Sequence, residues 1–372
     1  MSKLKIGTET PIPTGRFLAS GNEAIGWGAV TAGCLHFFGY PITPQNAVTE
    51  WFARELPARG GRFVQAESEH SGAAMLFGAA AAGVRAITST SSPGWGLMQE
   101  VISNIAGANL PCVIVNMQRG GPGQGSVQHA QMDYLSATRG AHGGYKNIVL
   151  APNSVQETFD LVQLAFYLAD KYRNPTIILS DAIIGMMIES MEVKHRDLEK
   201  EFGPLPEKDW AVKGLAQKNG KFGYVLSGYG VWPNYKGVLA AYLKKYEDMK
   251  RTEIRYEAKQ VDDADLILVA FGYSSRICID VMEAARAQGL KVGMIRPITL
   301  WPFPYEAIKK KALGGAKFLV VEDNLGCMIE DVICAVQGRA EVHSVNMLAR
   351  HLSSGAGMIL PDVVLEKVKQ ML

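Results

Sequence analysis

The residues best suited to chemistry in this 372-residue chain lie in four short loops. In residues 39–44 (GYPITP), the hydroxyl of Thr43 lies between two prolines, which restrict the backbone. Residues 118–125 (QRGGPGQG) follow a strongly apolar, strand-like run, and their Arg119 could bind a carboxylate or phosphate through two parallel hydrogen bonds. A structural role stays open for each: a plain helix-starting connection for the first loop, and a buried ion pair for Arg119.

Two carboxylates occur in the third loop, residues 67–70 (ESEH), which opens an alanine- and glycine-rich helix. Acidic residues at a helix start interact favourably with the helix dipole, so Glu67 and Glu69 need no further function. The small residues that follow would also let a flat ligand or a second backbone approach closely. Burial there would raise the pKa of a carboxyl group towards the range used in proton transfer.

The fourth loop, residues 88–96 (TSTSSPGWG), is rich in hydroxyl groups and contains two glycines. It could hold a phosphate or a ring, although such composition is also typical of a simple turn. The chain has no G-K-[ST] phosphate loop, no G-x-G-x-x-G after a strand and no G-x-S-x-G nucleophile motif. The residues alone therefore predict a candidate anion site and leave the reaction open.

The elements that must position these loops alternate between helix and strand. Predicted helices span residues 22–38, 71–83, 94–108 and 155–173, and predicted strands span 62–66, 85–90, 111–117, 147–150 and 175–179. Strands separated by helices of this length predict an α/β fold, a parallel sheet with helices on both faces. Such sheets bind ligands beyond the carboxyl ends of their strands, which is where these loops occur.

Three regions follow from this pattern: a first domain at residues 1–191, a connector at 192–260 and a second α/β domain at 261–372. The connector is rich in prolines, charges and scattered aromatic residues, with one helix predicted near 238–250. Such a segment is typical of an arm that packs on a partner or on its own domains. The second domain begins with a strand at 266–271, followed by strands at 291–296 and 317–322.

Composition excludes several classes of protein. Lys and Arg total 38 against 36 Asp and Glu, and this net charge of +2, without a basic stripe, argues against nucleic-acid binding. The longest small and apolar run is 12 residues, too short to span a bilayer, and the start lacks a signal-peptide pattern. Five scattered cysteines without a C-x-x-C pair predict reduced thiols in the cytoplasm, and no metal site is expected on this chain.

Taken together and in order, these segments resemble the alpha subunit of 2-oxoacid:ferredoxin oxidoreductases. The matching segments are residues 39–44, 67–83, 89–98, 118–125, 150–157 (LAPNSVQE), 170–175 (DKYRNP) and 296–304 (RPITLWPFP). The resemblance extends over nearly the whole chain from about residue 15. Residues 118–125, 137–140 (ATRG) and 170–175 are most similar to the branched-chain (2-oxoisovalerate) type, and the 2-oxoglutarate type has close relatives of them.

The resemblance implies a thiamine-enzyme pyrimidine-binding domain followed by a transketolase C-terminal-like α/β domain. It implies thiamine diphosphate shared with a beta subunit, which supplies the diphosphate site, Mg²⁺ and a [4Fe–4S] cluster. Gamma and ferredoxin-like delta subunits, ferredoxin and coenzyme A are the other implied partners. The implied activity is reversible, coenzyme A-dependent oxidative decarboxylation of a 2-oxoacid, 2-oxoisovalerate or 2-oxoglutarate, to acyl-CoA and CO₂, with the electrons passing to ferredoxin, in anaerobic metabolism.

Residue roles follow from the same resemblance. Glu69 is the implied catalytic residue, whose carboxyl group hydrogen-bonds N1′ of the aminopyrimidine and so promotes loss of the thiazolium C2 proton. Thr43 and Arg119 match positions that hold the substrate carboxylate, and Glu67 is the rival for the catalytic acid. The implied cofactor contacts are Tyr40, Pro41, Ile42, Glu69, Ser92 and Gly94. A non-catalytic assembly or regulatory subunit on this scaffold, or another transketolase-like thiamine enzyme, stays open.

Overall fold

The computed structural model describes residues 12–214, 224–350 and 357–372. The strands are β1 (Gly15–Ser20), β2 (His36–Gly39), β3 (Arg62–Gln65), β4 (Ile87–Ser91), β5 (Cys112–Gly120), β6 (Ser126–His129), β7 (Ile148–Leu150), β8 (Pro175–Asp181), β9 (Ile188–Val193), β10 (Tyr256–Lys259), β11 (Leu266–Val269), β12 (Val292–Pro297), β13 (Thr299–Trp301), β14 (Lys317–Val321) and β15 (Val342–Val345). The helices are α1 (Gly21–Thr31), α2 (Asn46–Ala58), α3 (Glu69–Ala81), α4 (Ser92–Gly107), α5 (Tyr134–Arg139), α6 (Val155–Tyr172), α7 (Ala182–Met186), α8 (Leu198–Phe202), α9 (Asn234–Thr252), α10 (Gly272–Ala287), α11 (Tyr305–Leu313), α12 (Met328–Val336) and α13 (Pro361–Met371).

The main sheet has the strand order β13-β7-β8-β5-β4-β2-β3, with β6 paired to β5. Strands β7, β8, β5, β4, β2 and β3 are parallel to one another, which confirms the predicted sheet. Its central strands β4, β5 and β8 are buried along their whole length, as expected where helices cover both faces. Helices α1, α2 and α6 pack together in one group, and α3 packs on α4 in another.

The second sheet has the order β10-β12-β11-β14-β15, in which only β10 is antiparallel to its neighbour. Strand β13 follows β12 in the chain but belongs to the main sheet. It pairs antiparallel with β7, so that Thr299 lies opposite Leu150. A strand of three residues carries no periodic pattern, which is why the sequence did not reveal this exchange. The boundaries at 191/192 and 260/261 stay a prediction.

The predicted helix over residues 22–38 is wrong in its second half. Helix α1 ends at Thr31, and the chain then forms β2. Gly33 turns the chain with φ +75°, a conformation that favours glycine. Phe37 next pairs with Phe63 of β3 and stacks on its ring at 5.6 Å between centroids. Continuous apolar sequence suited both a helix and a buried strand, and pairing across the sheet decided between them.

The other predicted helices and strands of the first domain begin and end within three residues of the observed ones. Sequence reasoning missed the two-stranded antiparallel sheet of β1 and β9. Helix α9 is longer than the predicted 238–250, and the hydroxyls of Tyr229 and Tyr242 donate to the carbonyl of Gly107 at the end of α4. The connector therefore packs on the first domain. No helix in the described ranges combines the length and apolar character needed to cross a membrane.

Candidate functional site

The four predicted loops lie at one edge of the main sheet. Residues 39–44 follow β2, residues 67–70 follow β3, Ser92 follows β4, and Arg119 lies at the end of β5. Because these four strands are parallel neighbours, their carboxyl ends share an edge, where open α/β sheets bind their ligands. The structure thus brings together segments that are up to about 80 residues apart in the sequence.

Glu69 is a buried carboxylate at the first position of α3. Ser68 caps this helix by accepting a hydrogen bond from the backbone N–H of Ser71 at 3.2 Å, so the capping role is already taken. Glu69 is 7% exposed, and no hydrogen-bond donor among the described residues contacts its carboxyl oxygens. The carboxyl oxygens are therefore free to pair with a ligand, such as a ring nitrogen that carries a proton.

The backbone of Gly94 packs directly against the carboxyl group of Glu69. A Cβ atom built on Gly94 would lie 2.4 Å from Oε1 of Glu69 and 2.3 Å from Oγ1 of Thr90. Any side chain at this position would therefore displace the carboxyl group or the hydroxyl. The first turn of α4 thus fixes the position of the Glu69 carboxyl group through direct contact with the glycine backbone.

The environments of Glu67 and Glu69 differ sharply. Glu67 is exposed and accepts a hydrogen bond of 2.5 Å from the hydroxyl of Ser71, which lowers the pKa of its carboxyl group. The neighbouring His70 is also exposed. A proton relay to a bound ring requires a group sheltered from water and directed at that ring. This geometry favours Glu69 over Glu67.

Arg119 connects two of the loops. Its guanidinium donates from Nη1 to the carbonyl of Thr43 at 2.8 Å and from Nη2 to the carbonyl of Gln124 at 3.1 Å. Both partners are neutral carbonyls, so these bonds do not form the buried ion pair that the sequence left open. The Nε atom is buried and has no hydrogen-bond partner among the described residues. The guanidinium therefore orders both loops and keeps N–H groups for an anion.

Sequence reasoning missed Gln45, which holds the loop of residues 39–44. Its side chain is completely buried, and Nε2 donates to the carbonyl of Tyr40 at 2.9 Å. Its Oε1 accepts from the hydroxyls of Ser89 at 2.6 Å and Thr49 at 3.0 Å. A glutamine beside a helix start carries no sequence signal for this role, because its partners lie on β4 and on the following helical turn.

The remaining predicted contact residues border the same edge. Tyr40 and Thr43 are exposed, whereas Pro41, Ile42 and Ser92 are half-buried. The donor set fits the aminopyrimidine of thiamine diphosphate, because the carboxyl group of Glu69 has no hydrogen-bond partner among the described residues and can pair with a ring nitrogen. Among the described residues, no group of three or more His, Cys, Asp or Glu side chains could hold a metal ion.

The two family models that match this chain assign its parallel sheet, with the site at its edge, and its second sheet to the class of thiamine-dependent α/β enzymes. Residues 27–218 match the family described as pyruvate flavodoxin/ferredoxin oxidoreductase, thiamine diphosphate-binding. Residues 264–359 match pyruvate:ferredoxin oxidoreductase core domain II. A split-gene transketolase, solved as an inactive beta4 tetramer, has a TM-score of 0.58 at 16% identity and shares the fold alone.

Proteins with similar sequences or structures narrow the class of thiamine-dependent enzyme to which the chain belongs. The ketoisovalerate oxidoreductase subunit VorB of Methanothermobacter marburgensis is 44% identical over 95% of this chain and 97% of its own length. The 2-oxoglutarate synthase subunit KorA of the same organism is 35% identical over 96% of this chain and 100% of its own. The structure of the 2-oxoglutarate:ferredoxin oxidoreductase from Magnetococcus marinus, with 2-oxoglutarate, coenzyme A and succinyl-CoA bound, superposes with a TM-score of 0.81 at 26% identity. It covers 98% of this chain, which spans 66% of that longer chain.

This chain belongs to the 2-oxoacid:ferredoxin oxidoreductase family, within the 2-oxoisovalerate/2-oxoglutarate type. It is one subunit of a hetero-oligomeric oxidoreductase that depends on thiamine diphosphate. These findings confirm the resemblance, the enzyme class and the cofactor that the sequence implied.

Proposed function

We propose that this subunit serves the oxidative decarboxylation of 2-oxoisovalerate and related branched-chain 2-oxoacids, and that it supplies the pyrimidine half of the cofactor site. The observation that carries the site is the buried carboxyl group of Glu69 against Gly94, at the same sheet edge as Arg119. The branched-chain substrate is supported by the 44% identity to the ketoisovalerate subunit, against 35% for the 2-oxoglutarate subunit.

Glu69 is the proposed catalytic residue. Bound thiamine diphosphate supplies the nucleophilic carbon and the electron sink that loss of CO₂ from a 2-oxoacid requires. Glu69, whose carboxyl group is held in place by contact with Gly94, shares a proton with N1′ of the aminopyrimidine. Tyr40, Pro41 and Ile42 border the ring from the loop after β2, and Ser92 borders it from the start of α4.

Arg119 and Thr43 are the proposed ligands of the substrate carboxylate. The unpartnered Nε of Arg119 and the second hydrogens of its two Nη atoms remain available after the two loop contacts. The exposed hydroxyl of Thr43 adds a neutral donor beside this positive charge. A charged, forked donor of this kind orients a planar carboxylate and therefore fixes the neighbouring 2-oxo carbon.

The partner assignments are also proposals. A beta subunit would supply the diphosphate and Mg²⁺ site and a [4Fe–4S] cluster, with gamma and ferredoxin-like delta subunits, ferredoxin and coenzyme A completing the system. Their support is that the relatives are named as subunits, and that a solved relative contains coenzyme A. We place the complex in the cytoplasm, since all five cysteines are free thiols.

The isolated chain should bind thiamine diphosphate weakly. The residues proposed here contact only the pyrimidine ring, whereas the diphosphate and its metal carry the charge that usually dominates affinity. Calorimetry on the isolated chain should show no tight binding, and addition of the partner subunits should restore it. Tight, Mg²⁺-dependent binding by this chain alone would instead indicate a self-sufficient thiamine enzyme.

Arg119→Lys should lower kcat/KM for every 2-oxoacid to a similar extent. Lysine keeps the charge but loses the fork, so we expect kcat/KM to fall about 10–100-fold. The purified complex is assayed with pyruvate, 2-oxoisovalerate and 2-oxoglutarate, with coenzyme A and a viologen acceptor. Wild type should prefer 2-oxoisovalerate, and Thr43→Val should show a milder loss.

Proton exchange at C2 of the cofactor is the control for Arg119→Lys, because Arg119 is not proposed to contact the aminopyrimidine. The exchange rate should stay near that of wild type. If kcat/KM holds while the melting temperature falls, Arg119 only ties the loops together. A wild-type preference for 2-oxoglutarate would overturn the substrate assignment and leave the site intact.

A further inference from the structure

Asp133 occupies a position where its side chain is expected to cap a helix, yet it does not. It is the N-cap residue of α5, and no N–H group of that helix is bound by its carboxylate. Aspartate is among the best N-cap residues because its carboxylate normally accepts from the second or third helical N–H. Here Oδ2 accepts instead from the hydroxyl of Ser92 at 2.5 Å and from Nδ2 of Asn116 at 3.0 Å.

Ser92 connects Asp133 to the backbone of Arg119. Its Oγ accepts a hydrogen bond of 3.0 Å from the backbone N–H of Arg119. The same Oγ lies 3.2 Å from the carbonyl oxygen of Arg119, which competes with Asp133 for the single hydroxyl proton. The carboxylate is charged and closer, so it takes that proton. Asp133 thereby sets the orientation of a hydroxyl that joins the start of α4 to the end of β5.

Burial of the Asp133 carboxylate costs free energy, and capping of its own helix does not offset this cost. Burial raises the pKa of the Asp133 carboxyl group, and the bonds from Ser92 and Asn116 with the charge of Arg119 offset only part of this. The backbone N–H of Asp133 is also held, by Oε1 of Gln118 at 3.0 Å. A sheltered carboxylate that leaves its own helix uncapped is the kind of local conflict that proteins retain at functional sites.

We infer that Asp133 is a positioning residue for the 2-oxoacid site. Through Ser92 it couples the first turn of α4, where Gly94 borders Glu69, to Arg119 at the end of β5. One carboxylate therefore fixes the position of the proposed cofactor contact relative to the proposed substrate contact. This inference rests on the proposed binding of the substrate carboxylate at Arg119.

A double-mutant cycle in the complex with its partner subunits tests the coupling. The variants are Asp133→Asn, Ser92→Ala and the double variant, and the probe is 2-hydroxyisovalerate, an unreactive carboxylate, titrated by calorimetry. Each single variant should weaken binding of this probe about 10-fold, equivalent to about 1.4 kcal/mol. The double variant should be no weaker than Ser92→Ala alone, because both changes break one chain of contacts.

Tyr134→Phe is the matched control. This neighbour of Asp133 is buried, and its hydroxyl donates to Oδ2 of Asp331 at 2.7 Å, with no link to Ser92. It should lower the melting temperature and leave the dissociation constant of the probe unchanged. If Asp133→Asn does not assemble with the partner subunits, Ser92→Ala alone tests the inference. This variant removes only one hydroxyl group and should still weaken binding of the probe.

Two results would overturn the inference: additive losses in the cycle, or a lower melting temperature of Asp133→Asn with probe binding intact. Arg119→Lys, measured with the same probe, separates this inference from the proposed function. If Arg119→Lys leaves binding unchanged, the proposed substrate contact is wrong. If it weakens binding while Asp133→Asn does not, only the role of Asp133 fails.

Discussion

Glu69→Ala should lower turnover of the assembled complex about 10²–10⁴-fold, the usual loss when a general acid–base group is removed. The carboxyl group is sheltered, and no donor among the described residues binds it, so its proposed partner is the cofactor ring. The change removes no atom of the hydrophobic core, and the Ser68 cap of α3 remains. The fold should therefore persist while the chemistry fails.

Hydrogen–deuterium exchange at C2 of the cofactor measures this step directly, without coenzyme A or an electron acceptor. Exchange should slow in Glu69→Ala by a factor close to the loss of turnover. Glu67→Ala is the control, because that carboxylate is exposed and its side-chain hydrogen bond goes to Ser71. Normal exchange in Glu69→Ala together with slow exchange in Glu67→Ala would transfer the catalytic role to Glu67.

Gly94→Ala should reduce kcat at least about 100-fold, since misplacing a reacting group by about 1 Å can cost this much. The added methyl group would lie 2.4 Å from Oε1 of Glu69 and 2.5 Å from its Cγ, so the side chain must move. Thr90 blocks the alternative direction, with its Oγ1 at 2.3 Å. One methyl group thus displaces the proposed catalytic carboxyl group without changing any charge.

Gly96→Ala is a matched control on the same helix, because a Cβ there meets no atom of the described residues within 4 Å. Alanine in place of glycine inside a helix stabilises by roughly 0.5–1 kcal/mol, so this variant should keep its activity and melt at a slightly higher temperature. Steady-state kinetics and thermal melts of the two complexes make the comparison. Equal activity of the two variants would mean that catalysis does not depend on the position of the Glu69 carboxyl group.

The sequence by itself determined the parallel α/β fold and the edge at which the site lies. Strands separated by helices leave little choice but a parallel sheet, and loops that follow such strands must gather at its carboxyl edge. That is why the sequence alone groups four loops at one site: residues 39–44, 67–70, 88–96 and 118–125. The family resemblance came from the same segments, because their order along the chain is itself a pattern.

Tertiary structure decided what happens between these segments. Glu67 and Glu69 look alike in sequence, and burial against α4 separates them. Asp133 could have capped its own helix, and the hydroxyl of Ser92, 41 positions earlier, gives its carboxylate a different partner. Local composition reports on neighbours within a few residues, whereas each of these outcomes depends on side chains from separate strands. Sequence patterns therefore predict where ligands bind, and long-range packing decides which atoms meet them.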